Sequence, residues 1–375
     1  RAAEAVRRGE AQRFGLVTTN SLPQTFNRRV VERHLAGADV GANPGADGLF
    51  DGACEAPALA LAFAAPDHPW VDSADAADVR VAMTTGARAD AFDAEAGRLA
   101  VVTDERDEDG AGIADIDIFE YLGALNADLT VGADVSKAEP LNSKSGLCSR
   151  GLELGGSGFI VTREEAKQLG YGTVPEVETV IRPYRNGRDL TQTARGVFVI
   201  DLFGLTDSEA RERFPTVYEH VLREVKPVRE TNRSKTLREN WWLQRRLRED
   251  LRVTMSDLDR FIVTPETAKH RFFVFQEGDV APDNALLAIA LDDGFHLGIL
   301  SSAVHVEWAL AAGGKLGSGN DPRYFKRKCF EPFPFPTATD EQKKRIRHLG
   351  EAIDAHRKRQ QETHQDLGLT DLYNA

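Results

Sequence analysis

The stretch 13–29, RFGLVTTNSLPQTFNRR, decides how the first part of the chain is read. Phe14 to Thr18 has the apolar and β-branched run of a buried strand. A polar corner follows, and then Phe26, Val30, Val31 and Leu35 recur at helical spacing. A strand ending in TTNS beside a helix fits the C-terminal edge of a doubly wound sheet, where such sheets bind ligands. Only one helix-like segment, 1–12, precedes the strand. The Gly-rich turn that opens a nucleotide site is therefore missing from its usual place ahead of it.

The sequence runs to 375 residues, 41 % of them hydrophobic, enough for two or three domains with real cores. No apolar run approaches the roughly 20 residues that cross a bilayer. The opening RAAEAVRRGEAQ lacks the apolar centre of a signal peptide. Cys54, Cys148 and Cys329 lie far apart without metal-ligand spacing. The reading is a reducing, cytoplasmic setting with no disulfide framework and no metal.

The net charge of −12 argues against a nucleic-acid partner until its distribution is seen. Residues 39–120 hold 19 acidic and 4 basic residues, so the rest of the chain is positive. Residues 226–271 hold 12 basic against 7 acidic, and 315–328 hold 5 against 1. Local basic surface, not the global sum, attracts phosphate. On charge alone these are ordinary solvated faces.

Residues 37–57 are rich in Gly, Ala, Asp and Pro and read as a flexible insert. ALALAFAAP, ending at Pro66, and DVRVAMTTG are strand candidates. GRLAVVTDE and IADIDIFEY read as an antiparallel pair around an acidic turn at Asp107–Gly112. Thr162 and Glu165 have the spacing of a capping box. Residues 206–226 form one kinked helix or two, because of Pro215. RFIVTPETAKHRFFVFQEG reads as two strands joined by a turn. The segment ending at Gly313 reads as one helix, and DEQKKRIRHLGEAIDAHRKRQQET as a long exposed one.

Several stretches form an ordered set: RFGLVTTNSLPQTFNRRV, AFAAPDHPWVDSADAADVRVAMTTG, IRPYRNGRDLTQ, VFVIDLFGLT, RENWWL, ETAKHRFFVF, PDNALLAIALDDGFHLGILSSAVHVEWAL and PRYFKRKCFEPFPFP. The set resembles the C-terminal part of the MmeI-like DNA methyltransferases, of the Type IIL/IIG restriction–modification family. The resemblance covers almost the whole chain and departs at the 37–57 insert. It implies an α/β fold: the C-terminal half of a Rossmann-like methyltransferase sheet over 1–130, an α/β target-recognition domain over 131–338, and a helical tail over 339–375. It also implies adenine-N6 methylation with S-adenosyl-L-methionine, and double-stranded DNA as partner. The family's cofactor glycine turn and its Asn-Pro-Pro-Tyr/Phe motif are both absent. GGSGF at 155–159 falls in the wrong half, and Asn43-Pro44 sits in the insert. The chain is thus expected to be a fragment, inactive alone, whose catalytic residues and missing N-terminal part lie upstream.

An enzyme that modifies a base must take it out of the stack. The resemblance puts Asn20, His68 and Trp70 on one wall of that pocket. Trp70 would stack on a base or pack in the core, and His68 reads as a loop-fixing hydrogen bonder. Arg182, Arg185 and Arg188 lie on a turn marked by Asn186-Gly187. They suit phosphate forks or guanine, unless Asp189 and its neighbours pair them. Lys269, His270 and Arg271 read as phosphate contacts. The Gly-rich GGKLGSGNDPRYFKRK carries Lys315, Asn320, Asp321, Arg323 and Lys326 and is the expected base-reading loop. Within it Arg323 either reads a base or pairs with Asp321 or Glu331. The alternative to a methyltransferase is a non-catalytic DNA sequence-specificity module, which would not need TTNS or PDHPWVD. A nuclease is disfavoured, because Pro66-Asp67 and Pro282-Asp283 lack a following acidic-x-Lys partner.

Overall fold

β1 (Arg13–Thr19) and β2 (Leu59–Trp70) run parallel to each other, with the helix Thr25–Leu35 between them in the chain. β3 (Val79–Arg88) returns between the two and is antiparallel to both. β4 (Arg98–Arg106) adds parallel to β2, and β5 (Asp115–Leu122) pairs antiparallel with β4, giving the order β1-β3-β2-β4-β5. An antiparallel strand on an otherwise parallel pair is a common finish to doubly wound sheets. This computed structural model describes residues 1–23, 25–37, 57–70, 79–106, 115–132, 134–135, 138–316, 321–364 and 367–374. Most of the insert and all of the acidic turn lie outside the described residues. The chain divides into two units, Arg1–Lys137 and Ala138–Ala375.

β2 is the central strand. Its Leu59, Ala60, Leu61, Ala64 and Ala65 are buried, as a near-continuous apolar run covered on both faces should be. It does not stop at Pro66 but runs on to Trp70. A register shift between Ala65 and His68 takes up Pro66, which has no N–H for the ladder. β1 corrects the expectation of a buried strand. Among the described residues of its unit it is an edge strand paired only with β3, and Val17 is 55 % exposed. The helix Thr25–Leu35 instead seats Val31 and Leu35 against Leu61, Ala64 and Leu99. Phe14 lies across Gly86, where a Cβ would stand 2.5 Å from its ring.

Among its described residues the second unit holds two four-stranded sheets and a ribbon. Its strands are β6 (Cys148–Arg150), β7 (Ile160–Val161), β8 (Ile181–Arg185), β9 (Phe198–Ile200), β10 (Arg260–Pro265), β11 (Val274–Glu277), β12 (Ala281–Pro282), β13 (Leu286–Ile289), β14 (Gly314–Leu316) and β15 (Asp321–Arg323). The sheets are β12-β8-β9-β7 and β11-β10-β13-β6, and β14 pairs with β15. Phe159, Val161, Ile181, Val199, Ile200, Val217 and Val221 fill the core of the first sheet. Ile262, Phe273, Leu287, Ile289, Leu297 and Phe330 fill that of the second.

Local signals explain most helix ends. Thr162 and Glu165 close a capping box, and Thr206 does the same with Glu209. Pro215 opens a second helix, Pro215–Glu224, where its fixed φ and missing N–H fit the first turn. The segment expected to be one helix to Gly313 is two, Gly294–Leu300 and Ala303–Ala312, because Ser302 accepts the His305 N–H and caps the second. The long helix Asp340–Thr363 is not free of the body. A Cβ at Gly350 would collide with the Gly294 carbonyl, so glycines let it cross Gly294–Leu300 closely. Arg260 pairs with Glu351, and Arg347 with Asp293 at 2.6 Å.

Candidate nucleic-acid interface

In the first unit the ends of β1 and β2 are level, since Thr19 and His68 both face Val81. This brings Asn20, His68 and Trp70 to one end of the sheet, the end where the parallel strands finish. The Asn20 amide donates to Asp67 Oδ1 at 3.0 Å. Arg80 at the start of β3 donates to the same oxygen at 2.7 Å and to Glu105 at 2.7 Å. Hydrogen bonding to Glu105, against burial and with Asp67 adding, holds the Arg80 guanidinium above its ordinary range. Arg80 holds both carboxylates in place, so the Asn20 amide has a fixed direction, and the three charged groups sum to −1. His68 Nδ1 lies 2.6 Å from the Pro69 carbonyl, and Trp70 is 44 % exposed. Asp67, Arg80 and Glu105 escaped the sequence reading because they lie on three strands.

The arginines of the second unit separate into buried staples and exposed charges. Arg182 donates to the carbonyls of Asp279 at 2.8 Å and Gly278 at 3.0 Å, tying β8 to the turn before β12. Burial lowers its pKa, against the pull of Asp201. Arg271 is 6 % exposed. It donates to Thr264 Oγ1 at 2.9 Å, to the Pro322 carbonyl at 2.9 Å and to the Pro265 carbonyl, and burial pushes it down to about 10. Backbone carbonyls take donors of both guanidinium groups; Arg271 is buried among them, whereas Arg182 also lines a cleft with Phe203 and Arg252. Arg185 lines a cleft of about 350 Å³ with Asp189, Gln276 and Arg357, and one of its guanidinium nitrogens is buried without a partner among the described residues.

Asn186-Gly187 is a helix start rather than a simple turn, with Asn186 and Asp189 forming a capping box over Gly187–Thr191. Asp189 does not pair Arg182, Arg185 or Arg188. It accepts from Arg195 at 2.7 and 2.9 Å. Burial raises its pKa, and the bonds from Arg195 and two backbone N–H groups outweigh this, leaving it below the usual carboxylate range. Arg188 remains exposed. Lys269 and His270 both contact Asn374 Oδ1 at 2.8 Å, and His270 stacks on Tyr373, so this turn is docked on the terminal helix Leu369–Asn374.

The expected reading loop is the β14–β15 ribbon. Asn320 and the Lys315 side chain lie outside the described residues. Asp321 and Arg323 stand on β15, partly exposed, and Lys326 pairs with Glu331 at 3.4 Å. Arg323 pairs with neither Asp321 nor Glu331. It bonds to Glu266 Oε1 and lies 5.0 Å over the Phe325 ring. Arg150 bonds to the same oxygen. The Glu266 side chain is nearly buried, and its backbone is fixed by Ala285 at 2.8 Å and Tyr324 at 2.7 Å. Beside Arg150 the sequence reading missed a further group. Arg248 donates to the Gly151 carbonyl at 3.0 Å, and Arg245 and Arg246 lie 3.0 and 3.7 Å from Glu153. Among the described residues no group of three His, Cys, Asp or Glu is placed to hold a metal ion.

The family described as "MmeI, target recognition domain" matches residues 136–337, more than half of the chain. The chain belongs to this family. The MmeI match takes in the buried staples, the β14–β15 ribbon and the arginine group, and it stops short of the helix Asp340–Thr363. A solved structure of the Type IIL restriction–modification enzyme MmeI in complex with DNA is similar in fold, with a TM-score of 0.65 at 20 % identity. The likeness covers 96 % of this chain and 44 % of the MmeI chain, so this chain spans less than half the length of that relative. The mixed α/β architecture is thus that of MmeI. A second structure, the type IIG restriction endonuclease BpuSI, has a TM-score of 0.35 at 10 % identity over 90 % of this chain and 42 % of its own. No curated protein matches the chain. No helix among the described residues is long and apolar enough to cross a membrane.

Proposed function

We propose that this chain is part of a site-specific adenine-N6 DNA methyltransferase of a restriction–modification system. In this reading Ala138–Ala375 reads the sequence of double-stranded DNA, and Arg1–Lys137 supplies one wall of the pocket for the target base. The observation that carries it is the target-recognition match, together with a β-ribbon whose Arg323 is held by Glu266 and whose Asp321 stands beside it. A fixed guanidinium is suited to the O6 and N7 of guanine, and a carboxylate to the amine of cytosine. The Asn20–Asp67–Arg80–Glu105 network supports a built site at the sheet end, which a module that only reads DNA would not need.

S-adenosyl-L-methionine belongs to this proposal as the methyl donor. At the described sheet end the two carboxylates of this network, Asp67 and Glu105, are engaged by Arg80, which makes them poor partners for the ribose hydroxyls of such a cofactor. We therefore assign the cofactor and the methyl-transfer step to a part of the enzyme outside these 375 residues. The chain's own contribution is to hold and orient DNA. The test is selection of bound duplexes from a randomised library by the 375-residue chain, followed by sequencing. A short enriched sequence containing a fixed adenine, bound differently when that adenine carries an N6-methyl group, is the expected result. Enrichment of no sequence would refute the reading function, and a site without adenine would refute the adenine assignment.

A further inference from the structure

Residues 245–248 run beside 151–154 as a short antiparallel contact. The Arg246 N–H donates to the Glu153 carbonyl at 3.1 Å, and the Arg245 N–H to the Leu154 carbonyl at 3.3 Å. The contact is rigid from below. Buried Arg229 donates to the Leu154 carbonyl at 2.7 Å. Gly151 has no room for a Cβ against the Pro282 carbonyl, and Gly155, at φ +69°, stands against the Arg245 side chain. Above this base the side chains are open: Arg245 is 55 % and Arg246 66 % exposed, and Arg150 is partly exposed.

Five guanidinium groups, of Arg150, Arg245, Arg246, Arg248 and Arg323, meet two carboxylates, Glu153 and Glu266. Two arginines share each carboxylate and Arg248 contacts neither, so the group carries a net charge of +3. Burial first, and then the like charges of Arg246 and Arg150, lower Arg248 against the opposing pull of Glu153. Both carboxylates already contact arginine, so donors far outnumber acceptors in the group. Reading guanine asks for a guanidinium held in one direction, whereas phosphate oxygens ask only for donors and charge, which the open side chains of Arg245 and Arg246 supply. Arginine forks fit phosphate oxygens bidentately. The chain of contacts from Arg323 through Glu266 to Arg150 makes the group continuous with the reading ribbon.

We propose that Arg150, Arg245, Arg246 and Arg248 form a clamp on the DNA phosphate backbone that sets the register of the β14–β15 ribbon. The proposal rests on the DNA-reading function above. Each phosphate contact contributes about −0.9 to the slope of log affinity against log salt. Losing two contacts reduces the weakening between 50 and 200 mM salt by about twelvefold. The experiment measures binding of the 375-residue chain to a duplex of random sequence and to the duplex selected from the library, across that salt range. Arg245→Gln with Arg246→Gln is expected to reduce the slope by about two on both duplexes and to leave their affinity ratio unchanged. Arg245→Lys with Arg246→Lys is expected to restore most of the slope. Thermal unfolding of both pairs is expected to match the parent, since these side chains are exposed. If the parent chain binds DNA and the glutamine pair keeps its full slope, the clamp is refuted while the reading function stands. A changed affinity ratio would make these residues base readers and also refute it. A parent chain that binds no DNA would refute the reading function and the clamp with it.

Discussion

Arg271→Ala separates a buried staple from a phosphate contact. The Arg271 guanidinium joins the end of β10 to the reading strand through Thr264, Pro265 and Pro322. Its removal leaves these acceptors short of a donor, at about 1–3 kcal/mol for each group left unsatisfied. The Pro322 carbonyl keeps the Ala268 N–H at 3.3 Å, which places its share at the low end. Packing of the guanidinium over Tyr324, 5.3 Å away, is lost as well. The total is at least about 3 kcal/mol. For a unit of this size that corresponds to a fall of about 6–12 °C in Tm. The assay is thermal unfolding of the chain, with DNA affinity measured at several salt concentrations well below the transition. The staple predicts a large loss of stability and an unchanged salt slope. A stable variant whose slope drops by about one would show that Arg271 meets phosphate, and the reasoning from burial would be wrong.

Arg323→Ala should weaken binding by about 1–3 kcal/mol at one base pair of the selected site and relax the choice there, read by repeating the library selection with the variant. Gly350→Ala would stabilise an open helix by about 1 kcal/mol. Here the Cβ meets the Gly294 backbone, so the overpacking cost of about 1–3 kcal/mol offsets or exceeds that gain, and Tm should fail to rise in a melting experiment. The bond from Arg347 lowers Asp293 to about 2, against partial burial. Its contribution to stability is therefore full above the unfolded carboxylate pKa near 4 and fades as pH falls through about 2. Denaturation of Asp293→Asn against the parent should show a stability gap at pH 6 that narrows toward pH 2.

What could be read from sequence was local. Thr162 with Glu165 and the alternation of GRLAVVTDE against IADIDIFEY are encoded within a few residues, and both appear in the structure. Asn186 with Asp189 and Ser302 before Ala303 were equally local signals, hidden by a tempting Asn-Gly turn and by apolar residues that continue on both sides of Ser301-Ser302. The roles of the arginines were not legible, because an arginine's fate is set by distant neighbours. Arg182 meets carbonyls of 278–280, and Arg245 meets Glu153 across 92 positions of sequence. Lys269, His270 and Arg271 adjoin in sequence yet face differently: the first two meet Asn374, and the third is buried. The exposure of β1 was equally invisible, since a strand's composition does not say whether it has one neighbour or two.

Glu266 Oε1 accepts both Arg150 and Arg323, and this has a consequence for retargeting the protein to new sequences. Deleting Arg323 gives the whole carboxylate to Arg150 and draws that side chain toward the emptied position. Placing an acid at 323 sets two carboxylates side by side, which favours protonation of one of them. Either way a substitution at position 323 also disturbs Arg150. New specificities on this scaffold should therefore arise by paired exchanges at 323 and 266, and a library that varies 323 alone would sample mostly weakened binders.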